Sequence, residues 1–244
     1  MDGDHGAQVR ISSELAGLFP AGVVVAETSA PVERSALLAA EAAGLSAGAV
    51  AKRVQEFAAG RLCARRALAE IGIADFPIRV GAKREPLWPE GIVGSISHTD
   101  GLCAAVVGKC SRFLGLGLDL ERTGRVSVSL RSRICVATEI EWLARLSAAE
   151  ASAAATLIFA AKEAFYKAQF QIAAEWLYFQ HAAIEFPDWP APAGSWLLRP
   201  QRPMAIDPVC EFPLRGAYLV RGGFAIAGLA IEPRADTDPP GFKA

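Results

Sequence analysis

Phe113–Glu121 reads FLGLGLDLE, and the alternation in this stretch decides the fold. Leu114, Leu116, Leu118 and Leu120 share one parity, and Gly115, Gly117, Asp119 and Glu121 share the other. Strict period-two alternation predicts a β-strand with one apolar face. Residues two apart on a strand point the same way, so Asp119 and Glu121 lie side by side, roughly 6.5 to 7 Å apart along the strand. Both carboxylates can then reach one hard cation. The glycines before them leave room for a bulky ligand to approach the backbone. Oxygen ligands beside space for phosphates suggest Mg²⁺ held by few protein groups and completed by a substrate. The alternative is an edge strand ending in two solvated acids.

A second stretch bears on that choice. Thr156–Phe170, TLIFAAKEAFYKAQF, has a helical period, with Leu157, Ile158, Ala161, Ala164, Phe165 and Ala168 on one stripe. Glu163 and Lys167 fall together away from it. Four-residue spacing makes them a surface ion pair by default. The functional alternative is a third carboxylate and a cation facing the acidic strand.

Outward from these two stretches the chain alternates helices and short strands. Val23–Glu27 reads as a buried strand. Pro31–Ala43 reads as a short helix, and Ala49–Ile71 as a longer one with Ser46 as a possible cap and Gly72 as its stop. The longer helix carries Arg53, Arg61, Arg65 and Arg66, either a solvated basic face or a clamp for phosphates, since arginine offers a planar fork of donors. Gly81–Gly91, rich in proline and glycine, reads as a loop presenting Lys83 and Arg84. Ile92–Val107 reads as strand, turn at Thr99–Gly101, and strand, with His98 at the strand end. After Glu121, Arg122, Arg125, Arg131 and Arg133 cluster in a polar loop. Thr138 and Glu141 suggest a capping box, with Glu139 in the first helical turn. Trp176–Pro233 holds four strand-like runs and a Gly222-Gly223 hairpin turn. The order of elements predicts an α+β fold whose two halves meet near the central strand.

Composition narrows the function classes. The 244 residues are 52% hydrophobic and 21% charged, so a real core is expected. A net charge of −1 leaves no footprint of nucleic-acid binding. Five cysteines without a CxxC pair argue against a disulfide framework or zinc site and for a reducing compartment. No basic region followed by an apolar run opens the chain, and no stretch is long enough to span a membrane, so a cytoplasmic protein is expected.

GRLCARRAL, PLWPEGIVGSISHTDG, LGLDLE and FAAKEAFYKA, in this order, resemble the 4'-phosphopantetheinyl transferases of the surfactin-synthetase type, in the enterobactin-synthetase component D branch. The resemblance spans about Lys52 to Phe186. It implies two similar α/β halves in pseudo-two-fold arrangement, with coenzyme A in the cleft between them: residues 1–112, residues 113–234, and a disordered tail at 235–244. It implies Mg²⁺ on Asp119, Glu121 and Glu163, and Lys167 on the pantetheine-side phosphate. His98, beside Ser97, would contact coenzyme A phosphates, with Arg53 and Arg61 at the nucleotide end and Lys83 and Arg84 in a loop touching it. Glu139 or Glu163 would take the proton of the attacking serine. Glu85 departs from the pattern, since relatives often have a small residue there; an acid would repel phosphate, so it is expected to point away. The implied partner is an apo acyl or peptidyl carrier protein, serving fatty-acid, polyketide or siderophore synthesis, and a monomer is expected. A coenzyme A binding module without catalysis is the alternative. Such carriers present an acidic helix, which makes the Arg122–Arg133 patch the expected docking surface.

Overall fold

The computed structural model describes residues 9–46 and 48–234. The expected disordered tail lies outside them. Strands β1 (Arg10–Ile11), β2 (Val24–Thr28), β5 (Ile92–Thr99) and β6 (Leu102–Lys109) form an antiparallel sheet in the order β1-β2-β6-β5. Helices α1 (Ser13–Ala16), α2 (Ala39–Ala42) and α3 (Ala51–Glu70) belong to this half, as does a hairpin of β3 (Arg79–Val80) and β4 (Pro86–Leu87). Strands β7 (Gly115–Arg122), β8 (Ala182–Glu185), β9 (Ala193–Pro200), β10 (Leu214–Arg221) and β11 (Phe224–Ile231) form a second sheet, ordered β7-β11-β10-β9-β8. Helices α4 (Val128–Ile134), α5 (Ala137–Leu143) and α6 (Ala148–Ala173) lie between β7 and β8 in the chain. The fold is α+β.

The halves repeat one connectivity. In each, a strand leads to a long helix and then to a hairpin whose second strand pairs back onto the first: β2 with β6, and β7 with β11. Leu116, Leu118, Leu120 and Ile226 of one sheet pack with Val25, Ala104 and Val106 of the other. Helix α3 packs on the outer face of the first sheet through Ala58, Cys63, Ala64 and Ala67. Helix α6 covers the second through the expected stripe, Leu157, Ile158, Ala161, Ala164, Phe165 and Ala168, all buried.

The central strand is therefore buried on both faces, and this corrects the expected role of its glycines. A Cβ at Gly117 would stand 2.6 Å from the carbonyl carbon of Ala164, and one at Gly115 would stand 3.0 Å from that of Ala168. The missing side chains admit the backbone of α6, not a ligand. This close approach brings Glu163 and Lys167 down onto Asp119 and Glu121.

Strands β5 and β7 run together without joining into one sheet. Side chains bridge them instead. Ser95 Oγ accepts from the Leu118 amide and Ser97 Oγ from the Leu120 amide, each at 3.2 Å. Gln171 of α6 accepts from the Gly94 amide at 3.0 Å and donates to the Leu116 carbonyl at 2.7 Å.

Five local expectations change. Pro31–Ala43 is not one helix: a 3₁₀ turn at Arg34–Ala36 and α2 are separated by the extended Leu37 and Leu38. The N-cap of helix α3 is Val50, which makes no side-chain cap, so Ser46 is not its cap; Gly72, at a φ of +86°, follows the last turn as expected. Residues 79–87 form a hairpin, not a plain loop. Part of the arginine-rich segment is helix α4. The box at α5 is closed by Glu139, which accepts from the Val136 amide at 2.7 Å, not by Glu141.

Candidate active site

The seam between β5 and β7, roofed by α6, gathers most of the expected residues. Asp119 is 4% exposed. Its Oδ1 accepts from Lys167 Nζ at 2.6 Å and from Ser97 Oγ at 3.0 Å. Lys167 also donates to Ser97 Oγ at 3.1 Å and to the Leu118 carbonyl at 3.0 Å. The helical pair expected between Glu163 and Lys167 does not form; Lys167 turns to the strand.

Glu121 and Glu163 stand beside this pair with little neutralisation. Burial, and then repulsion from Asp119, push the Glu121 carboxyl up to about 7. The same two causes raise Glu163, which has no hydrogen bond or ion pair within the described residues. Arg125 Nε approaches Glu121 at 3.7 Å but is itself exposed. Asp119 Oδ2 is buried without any partner. An orphaned carboxylate oxygen among crowded carboxylates is a donor set that fits a hard cation such as Mg²⁺. Among the described residues no three His, Cys, Asp or Glu side chains are drawn close enough to hold a metal as they stand. Lys167 and Arg125 instead take up part of the negative charge.

Cations line the neighbouring space. His98 Nε2 lies 3.4 Å from Arg53 Nη1, and its Nδ1 lies 3.7 Å from Glu56. Burial lowers the pKa of His98 from its ordinary value. Arg53, Arg61 and Arg84 line a cavity of about 400 Å³ with Phe57 and Ser46. Arg61 lies over the Phe57 ring at 3.8 Å and donates to the Ile78 carbonyl at 3.3 Å, and burial lowers its pKa to about 10. Lys83 and Arg84 stand at the edge of a second cavity, about 560 Å³, walled by Trp88, Tyr166, Phe170 and Gln171 and reaching Lys167. Glu85 turns its carboxylate back to the Lys83 amide at 2.8 Å, over Gly81. Its own turn thus takes up the charge.

Glu139 lies in a buried ion pair. It is 2% exposed and fully engaged. Its Oε2 accepts from Lys162 Nζ at 2.7 Å and from the Val136 amide, and its Oε1 accepts from the Ile184 amide at 2.7 Å. Lys162 in turn donates to the Ile134 carbonyl at 2.8 Å. Burial raises Glu139 and lowers Lys162, partly offset by their attraction. This pair pins α4, α5 and β8 to α6, and every contact of its carboxylate is to the protein's own interior. Glu139→Gln should cost about 3 kcal/mol of stability, because it strands a buried ammonium. It should leave the pH dependence of kcat unshifted. Denaturation and a pH–rate profile check both.

Sequence reasoning missed Lys162, Gln171, Tyr166, Phe170 and Trp88. Gln171 was within reach: it lies one turn beyond Lys167 on the same helix face. The arginine segment divides. Arg122 stacks on Phe224 at 4.2 Å and donates to the Asp100 carbonyl, Arg125 meets Glu121, and Arg131 and Arg133 lie on α4 beside exposed Val128 and Leu130.

Fold and site together define a two-sheet α+β protein with carboxylates and cations facing each other where its halves meet. Residues 40–108 match the 4'-phosphopantetheinyl transferase N-terminal domain, and residues 115–206 match the 4'-phosphopantetheinyl transferase superfamily. The 4'-phosphopantetheinyl transferase Npt of Nocardia iowensis is 36% identical over 222 residues, 87% of this chain and 97% of that protein. The 4'-phosphopantetheinyl transferase PptT of Mycobacterium tuberculosis is 34% identical over 195 residues, 78% of this chain and 85% of that protein. Enterobactin synthase component D of Salmonella typhi is 38% identical over 119 residues, 48% of each chain. The chain belongs to the 4'-phosphopantetheinyl transferase family and is a transferase. No helix of the described residues is long and apolar enough to cross a membrane.

Proposed function

We propose that this enzyme transfers 4'-phosphopantetheine from coenzyme A to a serine hydroxyl of an apo acyl or peptidyl carrier protein. Adenosine 3',5'-bisphosphate leaves. The observation that carries the reading is the orphaned Oδ2 of Asp119, set beside Glu121 and Glu163. Asp119, Glu121 and Glu163 would hold Mg²⁺, which when bound supplies neutralisation of the pyrophosphate charge. Lys167 engages the pantetheine-side phosphate. His98, with Ser97 beside it, and Arg53 and Arg61 take the phosphates of the nucleotide end, and Lys83 and Arg84 close over it. The new bond joins the serine oxygen to the pantetheine-side phosphorus. The bond from that phosphorus to the bridging oxygen breaks, and its electrons leave on the nucleotide. Glu163, which has no hydrogen bond or ion pair within the described residues, accepts the serine proton. Positioning and charge neutralisation supply most of the acceleration.

The finer placement in the surfactin-synthetase type and component D branch rests on the four ordered motifs. We also propose residues 1–112 and 113–234 as the functional halves, a monomeric enzyme, and a cytoplasmic location. Mass spectrometry of apo carrier proteins incubated with enzyme, coenzyme A and Mg²⁺ tests the function. One phosphopantetheine should be added to the carrier serine. No gain on any acyl or peptidyl carrier overturns the reading.

The arginines of α4 give the carrier surface its charge. Arg131→Ser with Arg133→Ser should raise the carrier KM severalfold and leave the coenzyme A KM unchanged. Exposed charges are screened beyond about 8 Å at physiological salt, so the carrier KM of the parent enzyme should rise with salt and that of the variant should not. Steady-state kinetics across a salt series checks this.

A further inference from the structure

All three donors of the Lys167 ammonium are taken by the protein: Asp119 Oδ1, Ser97 Oγ and the Leu118 carbonyl. An ammonium has three N–H groups and no acceptor. In this arrangement Lys167 has no donor left for a phosphate. Asp119 has a matching constraint, because one oxygen is committed to Lys167 while the other is buried and unpartnered. Ser97 is equally committed. Its hydroxyl donates to Asp119 and accepts from Lys167 and the Leu120 amide.

We infer that Lys167 is the built-in counter-cation of the carboxylate site. It competes with a divalent cation for Asp119 and yields when a phosphate draws the ammonium away. The inference rests on the proposed function and adds to it. The same lysine that receives the phosphate holds metal affinity low until the phosphate arrives. Metal and phosphate ester then favour one another through a side chain, beyond any direct contact between them. Such coupling is reciprocal, so each ligand raises the affinity of the other by the same factor. The pair is built for this exchange. Asp119 is almost fully enclosed, with a side-chain exposure of 6%, while Lys167 is 27% exposed and sits on the wall of the larger cavity. The lysine has somewhere to go, and the aspartate does not.

The test is Mn²⁺ binding, followed by electron paramagnetic resonance, to the full-length enzyme with and without coenzyme A. Without coenzyme A, Lys167→Met should bind Mn²⁺ at least about tenfold more tightly than the parent, the scale of a hydrogen bond between charged groups. Adding coenzyme A should tighten Mn²⁺ in the parent by a larger factor than in Lys167→Met. Arg125→Gln removes an exposed charge beside Glu121 and should change Mn²⁺ affinity by less than about twofold. If Lys167→Met unfolds, Lys167→Gln keeps a polar group there and carries the same expectation. Equal Mn²⁺ affinity in parent and lysine variant, with binding intact in both, overturns the exchange and leaves the transferase reading standing. Loss of Mn²⁺ binding in every protein, with coenzyme A present, overturns both.

Discussion

Asp119→Ala is expected to lower kcat for phosphopantetheine transfer by about a thousandfold, while the protein melts close to the parent temperature. A divalent cation contributes several kcal/mol of charge stabilisation in reactions of this type, and about 4 kcal/mol corresponds to roughly a thousandfold in rate. The stability side rests on what Asp119 touches. Its Oδ1 meets only Lys167 and Ser97, and its Oδ2 meets nothing. Removing a buried oxygen without a partner relieves a desolvation cost, which offsets part of the lost ion pair. Lys167 retains Ser97 and the Leu118 carbonyl and can reach water. Ser97 retains the Leu120 amide that ties β5 to β7. Mass-resolved carrier loading and a thermal melt make the check. Near-normal turnover would move the metal site elsewhere. A collapsed melt would recast Asp119 as a residue of the seam.

Much of the fold was legible because its signals are local. The leucines of 114–120 and the stripe of Leu157 to Ala168 declare strand and helix by period alone, and Gly222-Gly223 marks the β10–β11 turn, where both glycines have positive φ. The rest depends on partners far along the chain. Gly115 and Gly117 read as open space because the helix residues that fill it, Ala164 and Ala168, lie more than forty residues downstream. Glu163 and Lys167 have ideal spacing for a helical ion pair, yet a strand carboxylate captures the lysine. Glu139 in a first turn looks like a solvated dipole partner or a base. Only the packing of α6 reveals the buried Lys162 that claims it. Helix α4, VSLRSRI, has β-branched residues and serines with weak helix preference, so tertiary contacts decide its state.

Gly117→Ala is expected to destabilise the protein by more than about 4 kcal/mol, beyond the ordinary range of single substitutions. Overfilling a packed core usually costs about 1 to 3 kcal/mol, because a side chain can turn aside. Here nothing can turn. The clash is with the Ala164 carbonyl, backbone in the middle of a 26-residue helix whose contact stripe is buried. Relief requires α6 to lift bodily from β7, and Glu163 and Lys167 lift with it. Gly101→Ala is the comparison. Gly101 has a φ of +80°, but the nearest neighbour of a Cβ there is the Arg122 side chain at 3.6 Å. It should therefore cost only the backbone strain of about 1 to 2 kcal/mol. The two substitutions also separate the two roles considered for the glycines. Were Gly117 there to admit coenzyme A, its alanine variant would fold normally and show only a raised coenzyme A KM. With the helix backbone in that space, the denaturation midpoint falls first. On the proposed metal site, the remaining folded fraction should bind Mn²⁺ weakly, because Glu163 would no longer sit beside Asp119. Urea denaturation of the Gly117→Ala and Gly101→Ala variants beside the parent decides between them, and a Gly117→Ala unfolding free energy within about 1 kcal/mol of the parent's would rule out the helix contact as the reason for glycine.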